Sequence, residues 1–267
     1  EPLLHPEFCE IWEALCQMGF FLTLQTNASL ITGKIVELFE KFPPRLVKIT
    51  LYGTSDDIYE EVCGIENGFT HVNDGIHTLM SIGIPITLVS TIIQQNQKDV
   101  ENMAYYAYRH QLPWTLTSNV RPSIRGANKD LSSVRLTEKM NRQKEAEVSK
   151  LVETNQFVDP KRKPCTYCKD YRIGYWILWD GNMRFCSFLN KPDISLLQHS
   201  FIDAWHQLLD YEEQLEWPEK CKTCEVNHVC LKCAASIATE SGDINQVNET
   251  YCQYIKQAYK NKQNSNV

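Results

Sequence analysis

The 267-residue chain holds eleven cysteines, spread unevenly: eight stand at positions 165, 168, 186, 221, 224, 230, 233 and 252, and only Cys9, Cys16 and Cys63 precede them. Eight thiols packed this densely mean either four disulfides or two four-thiolate metal sites, and the two imply opposite redox compartments. Spacing separates them. Cys165-x2-Cys168 and Cys221-x2-Cys224 each place two sulfurs on one tight turn, facing the same way, which suits a shared metal centre. The run Cys221-x2-Cys224-x5-Cys230-x2-Cys233 is too crowded for four cysteines to reach separate partners without strain. Neither pair is followed by His, so covalent haem attachment is not indicated. The spacing therefore favours metal, with zinc and iron-sulfur both open, since each accepts four thiolates.

Composition bounds the remaining choices. At 43% hydrophobic, the chain can bury one large core, or one core and a smaller one. There is no run of eighteen apolar residues and mean hydropathy is -0.37, so the expectation is a soluble, cytoplasmic protein with no membrane partner. A net charge of -6 would repel nucleic-acid phosphates and argues against that partner as well. Glu1 is neither an initiating Met nor part of a visible leader, and the expectation is that the chain was cut from a longer one.

The first half alternates between two periods. Phe8, Ile11, Trp12, Leu15 and Cys16 keep helical spacing after Pro6, and Gly19 ends that pattern before the strand-like run from Phe20 to Leu24. Thr32 is placed to cap a helix carrying Ile35, Leu38, Phe39 and Phe42, which stops at Pro43-Pro44; Val47, Ile49 and Leu51 then alternate along a strand from Leu46 to Tyr52. A third helix is expected from Val72 to Ile82 before a strand from Pro85 to Ile93, and a fourth from Val100 to His110 before a strand from Trp114 to Val120. Helices between strands at this spacing imply parallel pairing with right-handed crossovers, as in an open α/β sheet or part of a barrel.

Ligands of such sheets gather at the carboxyl ends of the strands. Those ends carry Gln25-Thr26-Asn27, Tyr52 to Asp57, Ser90-Thr91 with Asn96 beyond, and Arg121 to Arg125-Gly126. Asn, Asp, Ser and Thr are also the ordinary residues of turns and caps, so each alone carries little, and the shared rim carries the argument.

At this point the chain resembles the radical S-adenosylmethionine enzymes. Glu1-Pro2, followed by Leu-Leu-His-Pro-Glu-Phe, looks like the end of that family's Gly-Gly-Glu-Pro element, Thr26-Asn27 is similar to its Thr-Asn element, and Ile49 to Gly53 is similar to its next strand end. Cys168, Gly181-x4-Cys186, Cys221-x2-Cys224-x5-Cys230-x2-Cys233 and Cys252 resemble the SPASM extension, whose cysteines hold two auxiliary four-iron four-sulfur clusters. The Cys230-x2-Cys233 step is one residue shorter than the usual pattern.

The resemblance implies a fold and a site. The fold class is α/β: a partial (β/α) barrel of parallel strands over residues 1–134, a helical linker over 135–163, and a small cysteine-rich SPASM-like domain with a β-hairpin and helices over 164–267. The SPASM pattern assigns Cys165, Cys168, Cys186 and Cys233 to one auxiliary cluster and Cys221, Cys224, Cys230 and Cys252 to the other. Independently, Asp180-Gly181 is a strong turn between Tyr175 to Trp179 and Met183 to Phe188, and such a hairpin would return Cys186 beside Cys168. Assigning Cys233 rather than Cys230 to the first cluster rests on the resemblance alone. Expected contacts to S-adenosylmethionine are Glu1, at its amino group, with Thr50, Ser90, Thr91 and Arg125 at its ribose or carboxylate; catalytic residues proper are not identified.

The family's Cys-x3-Cys-x2-Cys motif, which holds a third cluster and S-adenosylmethionine, does not occur in this sequence. The chain as written is accordingly expected to be inactive alone, with the motif upstream in the intact protein. The activity implied for that protein is a 5'-deoxyadenosyl radical that modifies a ribosomally made precursor peptide by a thioether or carbon-carbon crosslink, its auxiliary clusters handling electrons supplied by a flavodoxin or ferredoxin. Anaerobic sulfatase maturation is the alternative, weakened because Ser187 rather than Asp follows Cys186. An alternative of another class is a non-catalytic metal-binding interaction module. The remaining features read as packing: the helical stripes at Phe201, Ala204, Trp205, Leu208, Leu209 and Leu215 and at Tyr251, Tyr254, Ile255 and Ala258, the surface His206 and His228, and the structural thiols Cys9, Cys16 and Cys63.

Overall fold

A computed structural model describes residues 1–122, 130–137, 163–166, 168, 174–228, 230, 233–247, 249, 252, 253, 256 and 259. The chain divides into two compact units, Glu1–Val120 with Ser132–Asn141, and Arg121–Leu131 with Arg142–Val267. Arg125, most of the expected linker and the stripe at Tyr251, Tyr254, Ile255 and Ala258 lie outside the described residues.

In the first unit, β1 (Thr23–Thr26), β2 (Leu46–Thr50), β3 (Ile86–Thr91) and β4 (Trp114–Thr117) lie side by side in sequence order, all parallel. Parallel neighbours need crossovers, and these are α1 (Phe8–Gln17) before β1, α2 (Gly33–Lys41) between β1 and β2, α3 (Asp56–Cys63) and α4 (Gly68–Ser81) between β2 and β3, and α5 (Val100–Arg109) before β4. Strand alternation sorts the side chains. Leu24, Val47, Ile49, Ile86, Leu88 and Ser90 are buried on one face, whereas Thr23, Gln25 and Lys48 are exposed and Thr50, Val89 and Thr91 half-buried on the other.

The helices contribute matching stripes. Ile35 and Phe39 of α2, Val72, Ile76 and Leu79 of α4, and Val100, Met103 and Ala107 of α5 join those strand residues in one core. Phe39 is wholly buried, its ring centroid 5.1 Å from that of Trp12, and the Trp12 indole donates to the Phe42 carbonyl at 2.9 Å, so α1 is tied to the end of α2 by packing and by a satisfied polar group. Gly75 marks the tightest approach: a Cβ there would lie 2.0 Å from the Ala28 carbonyl oxygen, so only glycine lets α4 lie against the loop that leaves β1.

Several expectations change in detail, the first strand among them, which runs Thr23–Thr26 rather than Phe20 to Leu24. α3 was not expected at all, and α4 begins at Gly68 rather than Val72. The Thr32 side chain makes no capping bond, and the fourth strand ends at Thr117. Cys9, Cys16 and Cys63 pack against the core as half-buried thiols.

In the second unit, β5 (Trp176–Ile177) and β6 (Asn182–Arg184) form the expected antiparallel hairpin, and β7 (Ile194–Ser195) extends it on the far side of β6. Gly181 has φ +78°, the left-handed turn geometry that the Asp-Gly pair supplies. The Arg184 side chain bonds the Leu189 carbonyl at 2.8 Å, the Pro192 carbonyl and Asp193, latching the loop between β6 and β7. α6 (Phe201–Gln214), capped by the Ser200 hydroxyl on the Asp203 amide, packs Ala204 and Leu208 on Met183 and Phe185. Two short helices follow, α7 (Glu219–Lys222) and α8 (Ala234–Ser241). Among the described residues no helix is long and apolar enough to cross a membrane.

Candidate functional site

At the carboxyl end of β1, Glu1 Oε1 accepts from the Thr26 hydroxyl at 2.7 Å and the Leu3 amide at 3.1 Å, and its Oε2 accepts from the Asn27 amide at 2.8 Å. Thr26 Oγ1 in turn accepts from the Ala28 amide at 3.0 Å, and Asn27 Oδ1 takes the amide and hydroxyl of Ser29. A carboxylate offers about four lone-pair sites. Three are used, and the exposed Glu1 retains acceptor capacity on Oε2 for one further donor, such as an ammonium.

Most polar residues at the other strand ends are spent on building the rim. Asn96 is wholly buried, donates to the carbonyls of Tyr52 and Thr91 at 3.0 Å each, and accepts from the Ile93 amide at 2.8 Å, so it ties the end of β2 to the end of β3. Asp99, 5% exposed, accepts from the Thr54 amide at 2.6 Å, the Thr54 hydroxyl and the Asn102 amide. Ser55 caps α3, and Asp56 holds the amide and hydroxyl of Thr70 at the start of α4. The Tyr59 hydroxyl lies between the Thr50 carbonyl and the Tyr52 amide, and burial pushes its pKa well above the ordinary phenol value.

Of the expected S-adenosylmethionine contacts, Thr50 and Thr91 lie on the face of the sheet that the helices leave open. Ser90 is a correction. Its neighbour Thr91 takes the open face, so alternation turns Ser90 into the helix-covered core, where it is 0% exposed. Its hydroxyl donates to the Leu51 carbonyl at 2.7 Å and accepts from the Trp114 indole at 2.9 Å, so its proton is spent inside the core and burial keeps it from a ligand. Arg121, expected on the rim, belongs instead to the second unit, where it donates to the Ser236 hydroxyl at 3.0 Å and lies over the Phe188 ring. Sequence reasoning missed Asp99, whose signal was an acid at the entry to the helix that begins at Val100.

The second unit gathers its cysteines in two groups. Burial pushes the Cys165 thiol up, and Cys168, Cys233, Cys186 and then Glu212 add to the rise, so those three thiols and one carboxylate stand within electrostatic reach of it. Cys165 is 7% exposed and holds φ +67°, an uncommon backbone for a residue with a Cβ. A Cβ on Gly174 would lie 2.4 Å from the Cys168 carbonyl oxygen, so the chain entering β5 passes directly over that cysteine. The hairpin delivers Cys186, whose carbonyl accepts from the Leu189 amide and whose sulfur faces the Phe188 amide at 3.5 Å.

Cys221, Cys224, Cys230 and Cys252 line one cavity of about 410 Å³, with Lys220 and Lys256 also on its wall. Burial raises the Cys252 thiol first and Cys221 adds to it, while Lys220 acts in the opposite sense. Cys221 and Cys224 flank the end of α7, and Cys230 closes a turn by its amide bond to the Val226 carbonyl at 2.9 Å. Among the described residues no three His, Cys, Asp or Glu side chains converge tightly enough to grip one metal ion. His206 and His228 are exposed, the latter 3.3 Å from the Tyr259 hydroxyl.

Residues 1–107 match the model of the Radical SAM superfamily. They belong to that superfamily of enzymes. The radical SAM assignment implies S-adenosylmethionine and a 4Fe-4S cluster as cofactors. Over 95% of its length the chain is 22% identical to an AdoMet-dependent heme synthase of Methanosarcina barkeri, covering 80% of that protein, and over 38% it is 25% identical to a PqqA peptide cyclase of Ruegeria pomeroyi, covering 27%. The chain shares its fold with anSMEcpe, solved with bound AdoMet and a Kp18Cys peptide, at a TM-score of 0.64, 15% identity and coverage of 94% and 78%. It shares it also with Streptococcus suis SuiB bound to precursor peptide SuiA, at a TM-score of 0.66, 13% identity and coverage of 95% and 63%.

Proposed function

We propose that this chain is the body of a radical SAM/SPASM maturase that modifies a ribosomally made peptide or protein by a thioether or carbon-carbon crosslink. The proposal assigns the partial barrel to residues 1–134, apart from Arg121–Leu131, which cluster with the second unit, and the SPASM domain to 164–267. What supports this reading is that one unit of a chain whose residues 1–107 match the radical SAM model holds eight cysteines, of which Cys168, Cys186 and Cys233 act on the Cys165 thiol and Cys221, Cys224, Cys230 and Cys252 line one cavity.

The donor sets suit clusters better than single ions. A tetrahedral zinc needs four sulfurs about 2.3 Å from one point. The cavity at the second group, about 410 Å³ across four cysteines, has room for a polynuclear group instead. Cys165, Cys168, Cys186 and Cys233 would hold one auxiliary cluster, here called site I, and Cys221, Cys224, Cys230 and Cys252 the other, site II.

When bound, S-adenosylmethionine with its own cluster supplies a 5'-deoxyadenosyl radical, and the auxiliary clusters supply electron transfer. Glu1 accepts the amino group of S-adenosylmethionine through its remaining lone pair. Thr50 and Thr91 offer hydroxyls to the ribose or carboxylate from the open face of the sheet; Arg125, outside the described residues, stays a candidate for the carboxylate from its residue type alone. Asn96 and Asp99 orient these groups by holding the strand ends, without touching the ligand themselves. The fold shared with the peptide-bound structures of anSMEcpe and SuiB supports a peptide substrate. A flavodoxin or ferredoxin in the cytoplasm is the electron donor this chemistry needs.

The test is anaerobic reconstitution with iron and sulfide. About eight irons per chain with broad absorption near ~400 nm supports the reading, and about four irons should remain in Cys186→Ala. Two zincs and no colour would sink it. For the intact enzyme, 5'-deoxyadenosine formation that depends on a peptide, with loss of two hydrogens from that peptide, is expected; dependence on a tetrapyrrole instead would overturn the substrate class.

A further inference from the structure

The short sheet of the second unit leaves one edge open. Among the described residues β5 pairs only with β6, because β7 lies on the other side of β6. Which main-chain groups that edge presents follows from the alternation of an antiparallel ladder. The Leu178 amide donates to the Asn182 carbonyl at 2.9 Å, so Leu178 and Asn182 form a bonded pair. The next pair in register, Ile177 and Met183, is then a non-bonded one, and the N–H and C=O of Ile177 point away from β6. One donor and one acceptor therefore face the open side.

The side chains do not guard this edge. Natural edge strands are blunted by charge, by proline or by a covering element. Here Tyr175, Trp176 and Ile177 follow one another at 39%, 48% and 53% exposure. Ile177 lies in register with Met183 and shares its face, the one packed on α6. Tyr175 meets the Phe201 ring edge-on at 5.1 Å and the Trp205 ring at 6.0 Å, so apolar surface continues from the edge onto α6. Trp176 takes the opposite face of the strand. A strand added beside β5 would find apolar contacts on both of its faces.

The size of the surface decides its occupant. Tyr175, Trp176, Ile177 and Phe201 together offer roughly 400 Å² of apolar area, from their exposures and the ~150–250 Å² that a large aromatic side chain can bury. A stable pair of proteins buries about 800 Å² on each partner, so a second copy of this chain is not what the edge holds. One short extended segment fits. An outward amide and carbonyl flanked by apolar side chains recognise a peptide main chain with apolar residues at alternate positions.

We propose that the open edge of β5 docks an extended apolar segment of the peptide substrate as an added strand, through the main chain of Ile177 and the side chains of Tyr175, Trp176 and Phe201. This rests on the reading of the chain as a peptide maturase. The docked segment supplies binding and selects extended apolar sequences, and takes no part in the chemistry.

The experiment uses the 267-residue chain reconstituted anaerobically with iron and sulfide, and a short capped peptide of alternating threonine and valine carrying a fluorophore. Saturable binding is expected by fluorescence anisotropy. Ile177→Pro removes only the outward N–H, a change that edge strands tolerate, and should weaken binding about tenfold. Ile177→Ala keeps that amide and should weaken binding by less. Hydrogen exchange of the wild type reads the same contact independently: bound peptide should slow the Ile177 amide and leave that of Leu178, already bonded to Asn182, unchanged. Equal binding by wild type and Ile177→Pro overturns the inference. So does Ile177→Ala weakening binding as much as Ile177→Pro, which would mean apolar adhesion without strand pairing. Should Ile177→Pro not fold, an Ile177 amide whose exchange the peptide leaves unchanged refutes the inference in the wild type alone. A dimer in sedimentation that Ile177→Pro disperses would make a second copy the occupant and refute it as well. A chain that takes up no iron yet binds the peptide at Ile177 overturns the maturase reading and supports the docking edge, whereas full iron without docking overturns the edge alone.

Discussion

The two units use burial in contrasting ways. The first packs large apolar side chains from four strands and five helices into one cluster, with Phe39, Val47, Ile49, Leu51, Ile76, Leu79 and Leu88 at 0% exposure. The second builds a smaller cluster on short strands, thirteen buried residues against twenty among those described, in which eight large residues such as Met183, Phe185 and Trp217 are joined by three alanines and two of its own cysteines, Cys165 and Cys221. Small side chains release little free energy when buried, roughly 25 cal/mol per Å² of apolar area, and a unit made this way needs another source of stability. The contrast teaches where the proposed clusters matter most. On the proposed reading, the sheet unit is organised by hydrophobic packing alone, whereas the cysteine unit would need its thiols ligated in order to fold.

The largest expected effect tests that division directly. Stripping iron with a chelator under reducing conditions should cost the cysteine unit on the order of 10 kcal/mol, by analogy with other metal-folded domains. Hydrogen exchange should then become fast along α6, α8 and the β5–β6 hairpin, while amides of β2 and β3 stay protected. Equal loss of protection in both units would break the comparison.

Next comes the core of the sheet unit. Phe39→Ala removes a wholly buried ring from between α1 and the sheet, and large-to-small changes of this kind cost about 4 kcal/mol. Denaturant unfolding monitored by a probe in the first unit should register the loss whether or not iron is bound. Leu208→Ala, equally buried in the second unit, should show a midpoint that depends on iron. If both variants depend on iron alike, the two units are one cooperative structure.

How much of this was legible in the sequence differs between the units for the same physical reason. Periodicity is the imprint of a face packed on a core, so Val47, Ile49 and Leu51 at period two, and Val72, Ile76 and Leu79 at helical spacing, announced their elements. α3 carries Asp56, Asp57, Glu60 and Glu61, and its weak apolar face hid it; the Ser55 cap with acids in the first turn was the available signal. The polar rim was recognised as a group, but alternation alone should have separated Ser90 from Thr91. Asn96 and Asp99 could not be known as buried rim-builders, because the partners that make them so, at Tyr52 and Thr54, lie 44 and 45 residues away in sequence. Glu212 was passed over inside a stripe read as packing, although an acid at a core position of a helix is itself a signal.

A smaller effect joins stability to the site. In an exposed helix Gly→Ala gains about 1 kcal/mol, yet Gly75→Ala in α4 would drive a methyl to 2.0 Å from the Ala28 carbonyl oxygen. Overpacking costs about 1–3 kcal/mol, so a net loss of about 1–2 kcal/mol is expected. Because Ala28 follows Thr26 and Asn27, which hold Glu1, the displacement should also weaken S-adenosylmethionine binding in the intact enzyme, measured by calorimetry. A gain in stability with unchanged binding would show that α4 and the β1 loop yield to each other.

The smallest effect compares one carboxylate in each unit. Asp56 is held below the usual carboxylate range mainly by the Thr70 amide and then the Thr70 hydroxyl, and Asp180 mainly by the Asn182 amide in the hairpin turn. Both residues are half-buried. A depressed pKa means stability that is present above the unfolded value, about 3.9, and is lost as pH falls through the lower folded value. Acid should therefore loosen the α3–α4 junction in the sheet unit and the β5–β6 turn in the cysteine unit over the same window, below about pH 4. Asp56→Asn should flatten the acid response at α3 alone, and Asp180→Asn, which preserves a favourable Asn-Gly turn, should flatten it at the hairpin alone. Local hydrogen exchange between pH 3 and 5 separates the two, and a single variant that altered both junctions would mean that acid acts on the chain as a whole rather than at these two turns.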